Sequence, residues 1–165
     1  MNRTMTAPPL RPAGFTLIEL VVTLALVALV ALVSVPLFEI TSTRLREQEL
    51  RAALREIRTA LDAYRAAAET GVVAKGAADS GYPPSLEALT QGVDSPKSAS
   101  GRRVVFLRRV PRDPFAPDPS LAPAQQWATR SYGSSVDDPQ PGADVYDVAS
   151  RSRRTGLNGV AYKEW

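Results

Sequence analysis

The chain contains no cysteine and no histidine. Without thiols no disulfide can staple it, so its core must hold by packing alone. Thiolate and imidazole metal sites are excluded with them, as are Ser-His and Cys-His nucleophile pairs. Carboxylates, lysines, arginines and hydroxyls remain, and no spacing among them implies catalysis, so an enzyme is not expected. Aromatic residues are scarce at 7%, and no basic patch is interleaved with them. The net charge of +3 counts Arg3 and Arg11 at the extreme N-terminus, and the rest of the chain is close to neutral. Nucleic acid is therefore not an expected partner.

What the chain does have is one long apolar run. Residues 20–37 carry no charge, and only Thr23, Ser34 and Pro36 break the aliphatic pattern. About eighteen residues of helix just cross a bilayer core. The run is apolar all round, whereas a surface helix of a small soluble domain would be amphipathic. It reads as a membrane span, with a buried core helix as the competing reading. Glu19 stands at its mouth. A carboxylate in hydrocarbon costs about 2.5–3.5 kcal/mol at mid-membrane, so such a residue needs a partner. The plainer alternative is a marker of the interface, where the cost is small.

Gly14-Phe15-Thr16-Leu17-Ile18-Glu19, with the apolar run directly behind it, resembles the processing site of type IV prepilins and type II secretion pseudopilins. The resemblance implies that a prepilin peptidase cuts after Gly14 and that the new amino terminus, on Phe15, is methylated. It also implies that Glu19 faces the terminal amine of a neighbouring subunit in a filament, a cation that would offset its solvation cost. Residues 1–14 then form a leader with Arg3 and Arg11, no acid and prolines at 8, 9 and 12. A secretory signal peptide is the alternative, with Ala28, Ala31 and Ser34 as a small-residue cleavage site. Such cleavage would discard the Glu19 context. Orientation is contested: Arg44, Arg46, Arg51 and Arg55 follow the span, and the positive-inside rule alone would make that side cytoplasmic. The resemblance implies the reverse, a cytoplasmic leader and a periplasmic C-terminal domain.

Helical periodicity continues past the span. Leu50, Leu54, Ile57, Leu61 and Tyr64 share one face with Ala53 and Ala60. Glu47–Arg51 and Arg58–Asp62 are expected i,i+4 pairs on the other face. Pro36 should kink the helix, and Gly71 should cap it just after Thr70. From residue 15 to 70 such a helix would run roughly 84 Å. The chain thus divides into a transmembrane and polymerisation helix at 15–40, an amphipathic half at 41–71, and a loop-rich domain at 72–165.

In that domain, Leu86 to Leu89 should form a short helix and residues 95–101 a polar loop. Residues 126–134 and 145–150 read as an antiparallel hairpin around Asp137-Asp138-Pro139-Gln140-Pro141-Gly142. Residues 160–165 would add a third strand. The expected class is α+β: a long helix packed on a small antiparallel sheet.

Gly81-Tyr82-Pro83-Pro84, Val110-Pro111-Arg112-Asp113-Pro114-Phe115 and Trp165, in that order, resemble the major pseudopilin of type II secretion. Locally, Asp113-Pro114 reads as an ordinary turn, and Tyr82 and Trp165 as packing residues. The resemblance implies a homo-oligomeric periplasmic filament shared with other pseudopilins and anchored in the inner membrane. It also implies a calcium-binding C-terminal loop, and here the chain departs from the pattern. Residues 150–159 hold Arg151, Arg153 and Arg154 and no acid. Asp147, Ser152 and Asn158 are weak candidate ligands, because calcium wants several oxygens tuned by carboxylates. No cofactor is expected, and the loop arginines would instead bond Asp137, Asp138 or Asp144. A type IV pilus pilin shares every feature up to Thr70 and is the nearest alternative; a signal-anchored periplasmic enzyme is the third.

Overall fold

The computed structural model describes residues 14–76, 79–96 and 103–165, apart from the side chains at 33, 35 and 36. The predicted leader and most of the 95–101 loop lie outside the described residues. So does the Pro36 side chain, on which the expected kink rests; the backbone there is helical. The chain divides into two compact units, Met1–Thr41 and Ser42–Trp165. Helix α1, Leu17–Glu69, contributes to both.

In the first unit α1 is apolar and long enough to cross a membrane, and none of its most apolar window is buried against protein. The hydroxyls within the run and one turn after it are spent on their own helix. Thr23 Oγ1 donates to the Leu20 carbonyl at 2.9 Å, Ser34 Oγ to Val30 at 2.8 Å and Thr41 Oγ1 to Leu37 at 2.9 Å. Each polar group is thereby satisfied without water, as hydrocarbon requires.

The second unit is built on the amphipathic stretch of α1. Leu50, Leu54, Ile57, Leu61 and Tyr64 are buried with Ala53, Ala60 and Ala68. The helix stops where expected: Gly71 takes φ +69°, a left-handed conformation that costs glycine nothing. The Gly71, Val72 and Val73 amides then double back to the carbonyls of Ala68 and Ala67. Helix α2, Leu86–Gln91, buries Leu86 and Leu89. Strand β1, Val93–Asp94, pairs antiparallel with β2, Arg103–Val104.

Strands β3, Trp127–Arg130, and β4, Asp147–Ser150, form the expected hairpin, with Trp127 opposite Ser150 and Arg130 opposite Asp147. Both strands are shorter than predicted. Pro123–Gln126 forms a 3-10 turn, and its buried Gln126 is spent on loop bonds. The third strand is also corrected. Only Thr155 and Ala161 bridge, and Tyr162–Glu164 turns into a 3-10 helix. The α+β class stands, with the antiparallel pairing divided between two two-stranded sheets. Trp127, Val148, Phe115 and Tyr162 close one core with the α1 face.

Asp113 opens the expected turn, its carbonyl accepting from the Ala116 amide at 3.1 Å, and its side chain adds a second role. It is buried; its Oδ2 accepts from Ser150 Oγ at 2.6 Å, and its Oδ1 accepts from the Phe115 amide at 2.8 Å. The Asp113 amide donates to Gln126 Oε1, and Gln126 Nε2 donates to the Leu121 carbonyl. A proline-rich segment with few ladder bonds is thus fastened to β4 by side chains.

Candidate functional site

Two places hold the residues singled out in the sequence. The first is the start of α1. Thr16 Oγ1 accepts from the Glu19 amide at 3.2 Å, and the Thr16 carbonyl accepts from Leu20 at 3.1 Å. Thr16 is thus the N-cap and Glu19 stands three residues on. Such a cap is worth about 1 kcal/mol, and a carboxylate in the first turn also suits the helix dipole. The spacing Thr16-x-x-Glu19 carries this capping signal in the sequence itself. Gly14, Phe15 and Glu19 are all exposed. Phe15, Leu17 and Ile18 present apolar surface beside the Glu19 carboxylate. The arrangement leaves the carboxylate open to a cation from outside the chain.

The second place is the C-terminal loop, and its organiser is a residue noted in the sequence only as an i,i+4 partner. Glu47 is 5% exposed. Its Oε1 accepts from the Leu157 amide at 2.7 Å and from Tyr162 Oη at 3.2 Å. Arg51 comes only to 4.0 Å and lies over the Trp165 ring, 4.3 Å from its centroid. Burial, followed by the hydrogen bond to Glu47, pushes the Tyr162 phenol above its ordinary value. Nothing in sequence spacing links residues 110 apart. The available signal was a lone acid at the border of the apolar helix face.

The predicted pairings of the loop arginines with Asp137, Asp138 and Asp144 are not among the described contacts. Arg151 Nε donates instead to the Trp127 carbonyl at 3.0 Å, and Arg154 lies over Phe115. Asp144 accepts from Ser131 Oγ and the Tyr132 amide at 2.7 and 2.8 Å. Arg58 does not pair with Asp62 either. Its Nε donates to Asp147 Oδ1 at 2.8 Å, and its Nη2 donates to the carbonyls of Val148 and Trp165.

The candidate calcium ligands are each engaged elsewhere. Asp147 is held by Arg58 and, at 3.6 Å, by Arg130. Ser152 Oγ accepts from the Arg154 amide and Asn158 Oδ1 from the Val160 amide. Asp147 and Ser152 line one groove with Arg58, Arg130, Arg151 and Arg153, whereas Asn158 lines a different hollow beside Arg51 and Arg55. A carboxylate neutralised by two guanidiniums, among further cations, is not a donor set that fits a calcium ion. Among the described residues no three carboxylates gather at one point.

Residues 10–35 match the family model of the prokaryotic N-terminal methylation motif. No curated protein and no solved structure matches the chain. The motif supports membership of the pilin-like superfamily, processing by a prepilin peptidase and assembly with pilin-like subunits. The single apolar N-terminal helix is compatible with a single-pass membrane anchor.

Proposed function

We propose that this chain is a structural, non-catalytic pseudopilin subunit of a type II secretion system, assembling into a periplasmic pseudopilus that supports protein secretion. The observation that carries the reading is the methylation motif at 10–35, which runs into the first turns of α1, where none of the most apolar window is buried against protein. Processing after Gly14 leaves Phe15 as the methylated N-terminus. Residues 15–40 then hold the subunit in the inner membrane and pack against neighbours in the fibre. Glu19 pairs with the terminal amine of an adjacent copy, a contact that strengthens as water is excluded.

The soluble unit works without metal in this reading, since Glu47 closes the loop that calcium would otherwise organise. A type IV pilus pilin shares the motif and the helix. The lack of cysteine weighs toward the pseudopilin, because a disulfide-closed C-terminal loop is frequent in those pilins.

The test begins with mass spectrometry of chain produced with its peptidase, which should find a mature protein starting at N-methyl-Phe15. Glu19→Ala should then leave membrane levels intact, because insertion becomes easier without the carboxylate, yet prevent fibre formation. Normal fibres from that variant would reject the pairing role. Deleting the gene should block export of secreted proteins; intact export with lost surface pili would favour the pilin.

A further inference from the structure

The solvent-facing side of α1 beyond the apolar run is divided by charge. At about 100° per residue, Arg44, Arg51 and Arg55 fall along one edge of the exposed face, which the exposed Asp62 continues two turns further on. Glu49 and Glu56 fall along the other, about 130° around the helix. All five side chains are exposed. Among the described residues Arg44, Arg55, Glu49 and Glu56 make no ion pair within the chain. The surface between the edges carries Leu45, Gln48, Ala52, Thr59 and Ala63, all exposed, so beyond Gln48 the strip holds only small side chains.

We infer that these edges are the two halves of a contact between copies of this chain, the cationic edge of one against the acidic edge of the next. Arg44 and Arg51 are seven residues apart, and so are Glu49 and Glu56. A neighbouring helix running parallel and displaced by five residues, about 7.5 Å along the axis, therefore brings both acids level with both arginines. Copies whose N-terminal helices enter the same membrane run parallel, as this match requires. The two edges lie on different sides of one helix, so the contact is heterologous and each copy keeps one edge free for the next. A contact of that kind propagates into an open filament rather than closing as a dimer. Glu47, buried and committed to Leu157 and Tyr162, reaches only Arg51 of the cationic edge, at 4.0 Å, and leaves Arg44 and Arg55 to a neighbour. The inference rests on the filament-subunit reading and adds the surface that sets the axial step.

The experiment uses the full chain, produced with its peptidase, as wild type, R44E/R51E, E49K/E56K and the four changes together. Sedimented polymer is measured against membrane-inserted monomer and against the thermal midpoint in detergent. Each single-edge reversal should lower polymer about tenfold, since like charges then face one another. The fourfold exchange, and co-expression of the two single-edge chains, should restore it. E49K/E56K has no internal contact to lose, so it reads assembly even if R44E/R51E weakens packing on Trp165. Polymer insensitive to E49K/E56K, or a fourfold exchange that fails to restore polymer while keeping the wild-type midpoint, would overturn the inference. Loss confined to R44E/R51E at an unchanged midpoint would also overturn it, pointing to an anionic membrane surface on that edge. Absence of polymer from the wild-type chain would instead refute the filament-subunit function itself.

Discussion

Replacing Glu47 by alanine should loosen the C-terminal loop and destabilise the second unit, Ser42–Trp165, by about 3 kcal/mol. Two donors lose their acceptor, the Leu157 amide and the Tyr162 hydroxyl, and Tyr162 is wholly buried. Hydrogen bonds to a charged acceptor contribute about 1.5–3 kcal/mol each; the orphaned Tyr162 hydroxyl is buried and cannot turn to water, whereas Leu157 is half exposed and its amide can. Against this, removing a buried carboxylate recovers part of its desolvation cost. Arg51, at 4.0 Å and half exposed, adds a few tenths of a kcal/mol at most. For a unit of this size the net change lowers the midpoint by roughly 12 °C. Glu47→Gln keeps an oxygen in the same place and should lose only about 1 kcal/mol, whereas Glu47→Met fills the space without accepting and should resemble alanine. The assay is near-UV circular dichroism of the full chain in detergent during heating, paired with limited proteolysis at residues 156–160. A Glu47→Ala midpoint within about 2 °C of wild type would refute the anchoring role. Glutamine as damaging as alanine would show that charge, not acceptance, holds the loop.

Three further outcomes follow from the same packing. The thermal midpoint should be the same in millimolar calcium and in chelator, because only an ion bound to the folded state shifts it; a rise of several degrees with calcium would show a site built from other ligands. Gly156→Ala should cost about 1–3 kcal/mol by overpacking, since the new Cβ would lie 2.7 Å from Trp165 Cζ2 and 2.9 Å from Asn158 Oδ1; an unchanged urea midpoint would contradict that crowding. Burial raises the Asp144 carboxyl, but hydrogen bonds from Ser80, the Tyr132 amide and Ser131 prevail and hold it below its ordinary 3.8. Its stabilisation is therefore present above that value and is lost as pH falls through the folded pKa, so Asp144→Asn should flatten the acid limb of the stability curve. Urea titrations between about pH 5 and pH 2 would expose the opposite slope if the sign were wrong.

The sequence alone determined the parts of this protein that rest on local periodicity and covalent order. An apolar run of eighteen residues without a charge can only be satisfied by lipid or a neighbour. The Gly14-to-Glu19 motif is a contiguous string, and the Leu50–Tyr64 face obeys the 3.6-residue repeat. Gly71 marks a helix end because glycine tolerates a left-handed backbone. Each of these signals is complete within a few turns of chain.

Tertiary structure decided which acid meets which donor. Arg58 had Asp62 one turn away and took Asp147 instead, because that carboxylate arrives partly buried and with two carbonyls beside it. Glu47 had an arginine at i+4 and became the anchor of a loop 110 residues downstream. Asp113 does open the turn that the sequence suggests, and the fold adds what the sequence could not show, a buried fastener for β4. Residues 160–165 have a strand-like composition, but they turn back over α1 because Tyr162 finds Phe115, Trp165 and Glu47 there. A charged group leaving water takes whichever partner the fold desolvates together with it, and that neighbourhood exists only once distant segments have packed.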